Sequence, residues 1–111
     1  MQRKSFCIIC IANYCRSPVL EALLKKRFNK EYEFFSAGIA PMQASNMDPR
    51  SIKYLEDQGI TNVIHNPKKI TKKMLSYFDY FIAVDTFVLS QLNGLFSKQK
   101  HKFVLAHFSY R

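Results

Sequence analysis

The strongest constraint on the fold is a pair of short, uninterrupted apolar runs set among helical patterns. Ser5 to Cys10 and Tyr80 to Val84 show no polar alternation, as strands buried on both faces do. Between and after them the apolar spacing becomes helical. Pro18 suits a first helical turn, where its missing N–H is not needed, and Val19, Leu20, Leu23, Leu24 and Phe28 recur from there to about Lys30. Glu21 near that helix's start and Lys25, Lys26 and Arg27 near its end suit the macrodipole. Tyr32 to Ser36 reads as a second strand, stopped by Gly38 and Pro41. Asp48-Pro49 starts a helix with Ile52 and Leu55 on one face, ending at Gly59. Thr71 caps a short turn carrying Met74 and Leu75, and Thr86 to Leu95 is a helix with Val88, Leu89 and Leu92 inward. Lys102 to Ala106 begins a last strand. Strands alternating with helices predict an α/β domain: a small parallel sheet of about four strands with helices on both faces. Ligand sites in such sheets lie at the carboxyl ends of the strands.

The 111 residues make one domain, 1–111, with one modest core. No apolar run reaches the roughly 18–20 residues of a membrane span, so no membrane partner is expected. Met1 to Cys10 opens like a signal peptide, but the run stops at Asn13 and Arg16 without a small-residue cleavage site, and we read it as a strand. The three cysteines, at 7, 10 and 15, leave none to staple the remaining chain, which predicts a reduced, cytoplasmic protein. A zinc site is disfavoured: Cys7-x2-Cys10 has no second pair, and His65, His101 and His107 are scattered. No cofactor is implied. Seventeen basic residues against eight acidic give a formal charge of +9, gathered in Lys25-Lys26-Arg27 with Lys30, Lys68-Lys69 with Lys72-Lys73, and Lys98 to Lys102. Charge alone does not choose between solvated helix faces, a surface for an acidic substrate or phosphorylated partner, and weak nucleic-acid binding.

The loop Cys10-Ile11-Ala12-Asn13-Tyr14-Cys15-Arg16-Ser17-Pro18 lies between the first strand and the first helix. A short loop closing onto a helix N-terminus points several backbone N–H groups at one spot, forming an anion nest from Ile11, Ala12, Asn13, Tyr14, Cys15 and Arg16. Arg16 can add a bidentate fork to two phosphate oxygens. The same positive field favours a thiolate at Cys10, and Ser17 can donate a hydroxyl to that sulfur. Thiolate attack on phosphorus gives a phospho-cysteine that water hydrolyses. Cys7 needs no role beyond that of a small buried apolar residue.

This loop closely resembles the C-x-G-N-x-C-R-S-P signature of the low-molecular-weight protein tyrosine phosphatases. The resemblance continues through Glu21-Ala22, Ser36-Ala37-Gly38, Asp48-Pro49-Arg50, His65 with Ile70-Thr71, and Phe78-Asp79-Tyr80 to Val84-Asp85, covering almost the whole chain. It implies the flavodoxin-like fold of that family, no cofactor, and a phosphorylated protein or small aryl phosphate as partner. By the resemblance Cys10 is the nucleophile, Arg16 binds phosphate and Ser17 lowers the thiol pKa. Asn13 orients the loop with support from His65. Cys15 matches the family's second loop cysteine, which can form a reversible disulfide with the oxidised nucleophile.

Three departures bear on activity. Ala12 stands where the family has glycine; if that position needs a positive φ or a close backbone approach to phosphate, alanine costs about 1–2 kcal/mol and distorts the nest. Tyr14 replaces a smaller aliphatic residue at the pocket mouth. Family members also run further, to a D-P-Y-type loop whose aspartate protonates the leaving oxygen and then to a final helix. Lacking that acid is expected to cost about 10²–10⁴ in rate, with aryl phosphates suffering least. Asp48 and Asp85 match other family positions, and His107 is the remaining candidate to stand in. Lacking the final helix is expected to leave one sheet face bare, a place for self-association or a partner.

The leading reading is a phosphatase of this type with weakened activity. Arsenate reduction uses the same loop in one branch of the fold, but relays electrons through two further cysteines, and none follows Cys15 here. A non-catalytic phosphate- or phosphotyrosine-binding remnant is the alternative from another class; the intact Cys10, Arg16 and Ser17 speak against it. Nucleic-acid binding is disfavoured, because the aromatics fit core positions and form no basic-aromatic stripe.

Overall fold

The computed structural model describes residues 3–106. Its elements run β1 (Lys4–Cys10), α1 (Arg16–Phe28), β2 (Tyr32–Gly38), α2 (Pro49–Asp57), α3 (Lys72–Tyr77), β3 (Tyr80–Ala83), α4 (Thr86–Leu95), a 3₁₀ segment (Ser97–Lys102) and β4 (Phe103–Leu105). The four strands form one parallel sheet in the order β2-β1-β3-β4. β1 is thus central, and the chain leaves it first toward one edge and later toward the other. That reversal makes the carboxyl end of β1, at Cys10, the topological switch point where open α/β sheets place their ligands.

Each face of the sheet has its own cover. On one face α1 lies over β1 and β2, with Leu20, Leu24 and Phe28 packed against the main core. On the other, Cys7, Ile9, Ala37, Phe81, Ala83 and Phe103 are buried beneath Leu75 and Phe78 of the α3 region and Val88 and Leu92 of α4. Phe81 sits at the centre of this layer, edge-on to both Phe78 and Phe103 at 5.8 and 5.7 Å. A second, smaller core of Ala22, Met47 and Leu55, with Val19, Leu23, Ile52, Ile60 and Val63, joins α2 to the outer side of α1. The apolar residues of α1 are therefore split between two cores, so that Ser17, Pro18 and Ala22 are its fully buried positions.

Two expectations are corrected. The first helix starts at Arg16, two residues before Pro18, because the loop turns directly into it. β3 is buried on one face only: Phe81 and Ala83 are covered, but Tyr80 is 37% exposed and Ile82 half-buried. Tyr80 and Ile82 lie in register with Phe6 and Ile8 on the α1 side, where α1 reaches β1 and β2 but not the far strands; Val104 continues that face at 42% exposure.

This asymmetry gives a stability test. Phe81→Ala is expected to cost about 3–5 kcal/mol in urea unfolding, since it empties a sealed layer, whereas Val104→Ala should cost under about 1 kcal/mol.

Candidate active site

The loop from Cys10 to Arg16 has its backbone turned so that carbonyls point outward and N–H groups inward. Every carbonyl from residue 10 to 15 has a donor. Cys10, Ile11 and Ala12 accept from the N–H groups of Ile39, Ala40 and Met42 at 3.1, 2.8 and 2.8 Å. Asn13 accepts from His65 Nε2 at 2.8 Å, Tyr14 from the Asp48 N–H at 3.0 Å and Cys15 from the Val19 N–H at 3.2 Å. Among the described residues the N–H groups of Ile11, Ala12, Tyr14, Cys15 and Arg16 meet no acceptor, while that of Asn13 points to Cys10 Sγ at 3.1 Å. Helix caps repeat the contrast. Asp48, Thr71 and Asp85 cap α2, α3 and α4 with side-chain oxygens, but Cys15, at the N-cap of α1, makes no side-chain cap. The first-turn donors of α1 are left for an anion.

Asn13 makes this turn. It is buried, with φ 52, a left-handed conformation that asparagine tolerates. Ala12 is not among the positive-φ residues, so the strain expected there is absent: the burden falls one position later. Close approach is borne by Gly38, where an added Cβ would lie 2.6 Å from the Ile11 carbonyl oxygen.

The hydrogen bonds around Asn13 have a definite direction. Its Oδ1 accepts from the Lys68 N–H at 2.9 Å, which can only donate, so Nδ2 faces Ser17 Oγ at 2.8 Å and Ser36 Oγ at 3.0 Å. Both hydroxyls accept from Asn13 and donate onward. Ser36 donates to Glu21, and Ser17 Oγ lies 2.9 Å from Cys10 Sγ, to which it donates when that sulfur is a thiolate. As a thiolate, the sulfur at position 10 thus receives two hydrogen bonds, from Ser17 and from the Asn13 N–H. The other two thiols are in opposite surroundings. Burial, helped by the Glu21 charge, pushes Cys7 up to about 12; burial and then a 3.3 Å hydrogen bond to Asp48 raise Cys15.

Arg16 leaves the loop exposed and meets Asp85 Oδ2 through Nη1 at 2.6 Å, which keeps its other donors available for an oxyanion. Asp85 also caps α4 through the Val88 N–H, and that bond, followed by Arg16, holds its carboxyl below the usual range. Asp48 is held low mainly by Arg50, through the side chain and then the N–H. Both carboxylates are therefore ionised and structurally engaged, and neither carries a proton to donate at neutral pH. His107 lies outside the described residues. His65 is buried, and burial lowers its pKa, so it is a neutral donor to the loop.

The structure therefore gathers Cys10, Asn13, Arg16, Ser17 and His65 around the loop, and engages Cys15 with Asp48. Ser36, Glu21, Gly38 and the Lys68 backbone complete the site, and sequence reasoning assigned them no role. Their signal was slight: Ser36 and Gly38 end a strand, and a strand's last residues at a switch point face the ligand. Among the described residues no group of His, Cys, Asp and Glu forms a metal site, and no helix is long and apolar enough to cross a membrane.

Comparison with known proteins agrees with this geometry. The family profile described as low molecular weight phosphotyrosine protein phosphatase matches residues 5–110. The chain is 31% identical over 96 residues to the low molecular weight phosphotyrosine protein phosphatase of Sus scrofa, covering 81% of this chain and 60% of the relative. It is 35% identical over 96 residues to low molecular weight phosphotyrosine protein phosphatase 1 of Drosophila melanogaster, covering 82% and 61%. The fold superposes with a TM-score of 0.83 on the tyrosine phosphatase Wzb from Escherichia coli K30, solved in complex with sulphate, at 26% identity over 94% of this chain and 72% of that one. The chain spans about three fifths of the length of these curated relatives.

The low pKa of His65 sets a pH dependence. The folded value lies below the unfolded value of about 6.5, so the unfolded chain takes up a proton first as pH falls. The stability that neutral His65 contributes is complete above about pH 6.5 and is lost as pH drops below it. Melting temperatures between pH 8 and 5.5 should fall less steeply for His65→Gln, which can still donate to Asn13, than for the unsubstituted chain.

Proposed function

The chain belongs to the low molecular weight phosphotyrosine protein phosphatase family, and on that footing we propose that it hydrolyses phosphotyrosine or another aryl phosphate monoester through a phospho-cysteine at Cys10. The observation that carries this reading is the pair of hydrogen bonds aimed at one sulfur, at the floor of a loop whose N–H groups converge. A phosphate there would be held by the loop N–H groups and the Arg16 fork, with Cys10 behind phosphorus. The thiolate attacks as the bond from phosphorus to the aryl oxygen breaks, and the phenolate leaves with the bonding pair. Water then adds to phosphorus, the bond to sulfur breaks, and inorganic phosphate departs. Asn13 and His65 position the loop, and Ser17 stabilises the sulfur anion in both the attack and the departure.

Leaving-group protonation is the weak step in this scheme. Asp48 and Asp85 are ionised and bound to arginines, so among the described residues no acid is placed to help. For the chain of residues 1–111, aryl phosphates should therefore be turned over faster than alkyl ones, whose leaving oxygen needs a proton more. Within residues 1–111 no cysteine follows Cys15, so the given sequence itself does not support arsenate reduction by a cysteine relay. Three free thiols fit a reducing, cytoplasmic setting. For the half-open face of Phe6, Tyr80, Ile82 and Val104 we keep a second copy of the chain as occupant; sedimentation showing a monomer at all concentrations would exclude it.

The deciding experiment is hydrolysis of p-nitrophenyl phosphate. The unsubstituted chain should turn it over, Cys10→Ser should not, and Ser17→Ala should lose about 10- to 100-fold in kcat/KM, the worth of one hydrogen bond to a charged group. Equal, near-zero rates for the unsubstituted chain and Cys10→Ser, with phosphate still raising the melting temperature, would favour a binding protein instead.

A further inference from the structure

We propose that Lys68, Lys69, Lys72 and Lys73 form a docking track for acidic protein segments flanking the phosphorylated residue, an inference that rests on the phosphatase reading and adds a substrate class to it. All four side chains are exposed. The four ion pairs among the described residues use Arg16, Lys25, Arg50 and Lys53, and none uses these lysines. Other lysines have visible structural work: Lys102 holds the Leu75 and Phe78 carbonyls, and Lys26 holds that of Gln58. The track has no such explanation. Lys72 and Lys73 fall in the first turn of α3, where the macrodipole disfavours cations, and no acidic residue in that turn offsets them.

Position links the track to the cradle. The Lys68 N–H holds Asn13 Oδ1 and its carbonyl accepts from Gly38, so the track starts in the wall of the phosphate loop. Lys69 pairs with Gly38 in a parallel bridge, and α3 then carries Lys72 and Lys73 onward to Tyr77. The Tyr77 ring is 65% exposed and packs edge-on to Phe35 and Phe78. Chain neighbours of a phosphorylated residue seated over Cys10 thus meet the track first at Lys68 and Lys69, beside the cradle wall, and then at Lys72 and Lys73 where α3 leads away from it. The acidic groups beside the loop are already engaged: Asp48 and Asp85 are each held by an arginine, and Glu21 by Lys25 and Ser36. A nucleic acid suits the track less well, because single strands need several stacking rings and residues 68–78 expose only Tyr77.

The test compares three substrates: p-nitrophenyl phosphate, a phosphotyrosine peptide with glutamates at about five flanking positions, and the same peptide with serines there. The variant combines Lys69→Ser, Lys72→Ser and Lys73→Ser, leaving Lys68 in place. For the unsubstituted chain at low salt, kcat/KM for the acidic peptide should exceed that for the serine peptide by about tenfold. That advantage should vanish in the variant and in about 0.5 M salt, with p-nitrophenyl phosphate hydrolysis unchanged. No preference between the peptides, or a preference that survives the three substitutions, overturns the track. So does a single-stranded oligonucleotide that displaces a labelled acidic peptide more strongly than the unlabelled peptide does. Failure to hydrolyse p-nitrophenyl phosphate at all overturns the phosphatase reading, and the track is then judged by anisotropy: equal binding of the acidic peptide to both proteins rejects it.

Discussion

The site depends on an accounting of backbone carbonyls. A loop can aim its N–H groups at one point only if its carbonyl oxygens find donors on the opposite side, because buried, unpaired backbone groups are costly. Here six consecutive carbonyls are taken up by the segment after β2, by Asp48, by the first turn of α1 and by His65. The segment from Ile39 to Asp48, which looks like mere connection in the sequence, is thus the outer wall of the cradle. Gly38 lets that wall close, since a side chain at its Cα would overlap the Ile11 carbonyl.

A second consequence is chemical direction. The Lys68 N–H fixes the Asn13 amide, the amide fixes two serine hydroxyls, and one of those is left with only sulfur to donate to. The three cysteines stand differently toward this network. Cys7 lies in the apolar layer, which favours the neutral thiol, and Cys15 gives its proton to an anionic Asp48. Cys10 receives the Asn13 N–H and lies against the Ser17 hydroxyl. Because a neutral His65 supports the same turn through the Asn13 carbonyl, protonating or losing that ring should disturb stability and loop geometry together.

Much of this was legible in the sequence, and the limits have physical reasons. Strand and helix positions followed from periodicity, and Asp48, Thr71 and Asp85 precede their helices as side-chain caps do. Cys10, Arg16 and Ser17 were singled out by a buried strand before them and a helix start after them, and the structure puts all three at that junction. β3 was misjudged because an apolar run does not say whether a helix covers each face. The positive φ considered at Ala12 falls at Asn13 instead, because a motif shows residue types but not φ angles. Ser36, Glu21 and the backbone of Lys68 were invisible as site residues, since their roles depend on which strand ends meet at the switch point.

The most direct test of the account is to follow backbone amide resonances by proton–nitrogen NMR while inorganic phosphate is added. The amides of Ile11, Ala12, Tyr14, Cys15 and Arg16 should move together with one dissociation constant, and the response should disappear in Asn13→Ala while the folded spectrum persists. Shifts confined to surface lysines, or amides of residues 11–16 that stay still at saturating phosphate, would contradict an inward-facing cradle.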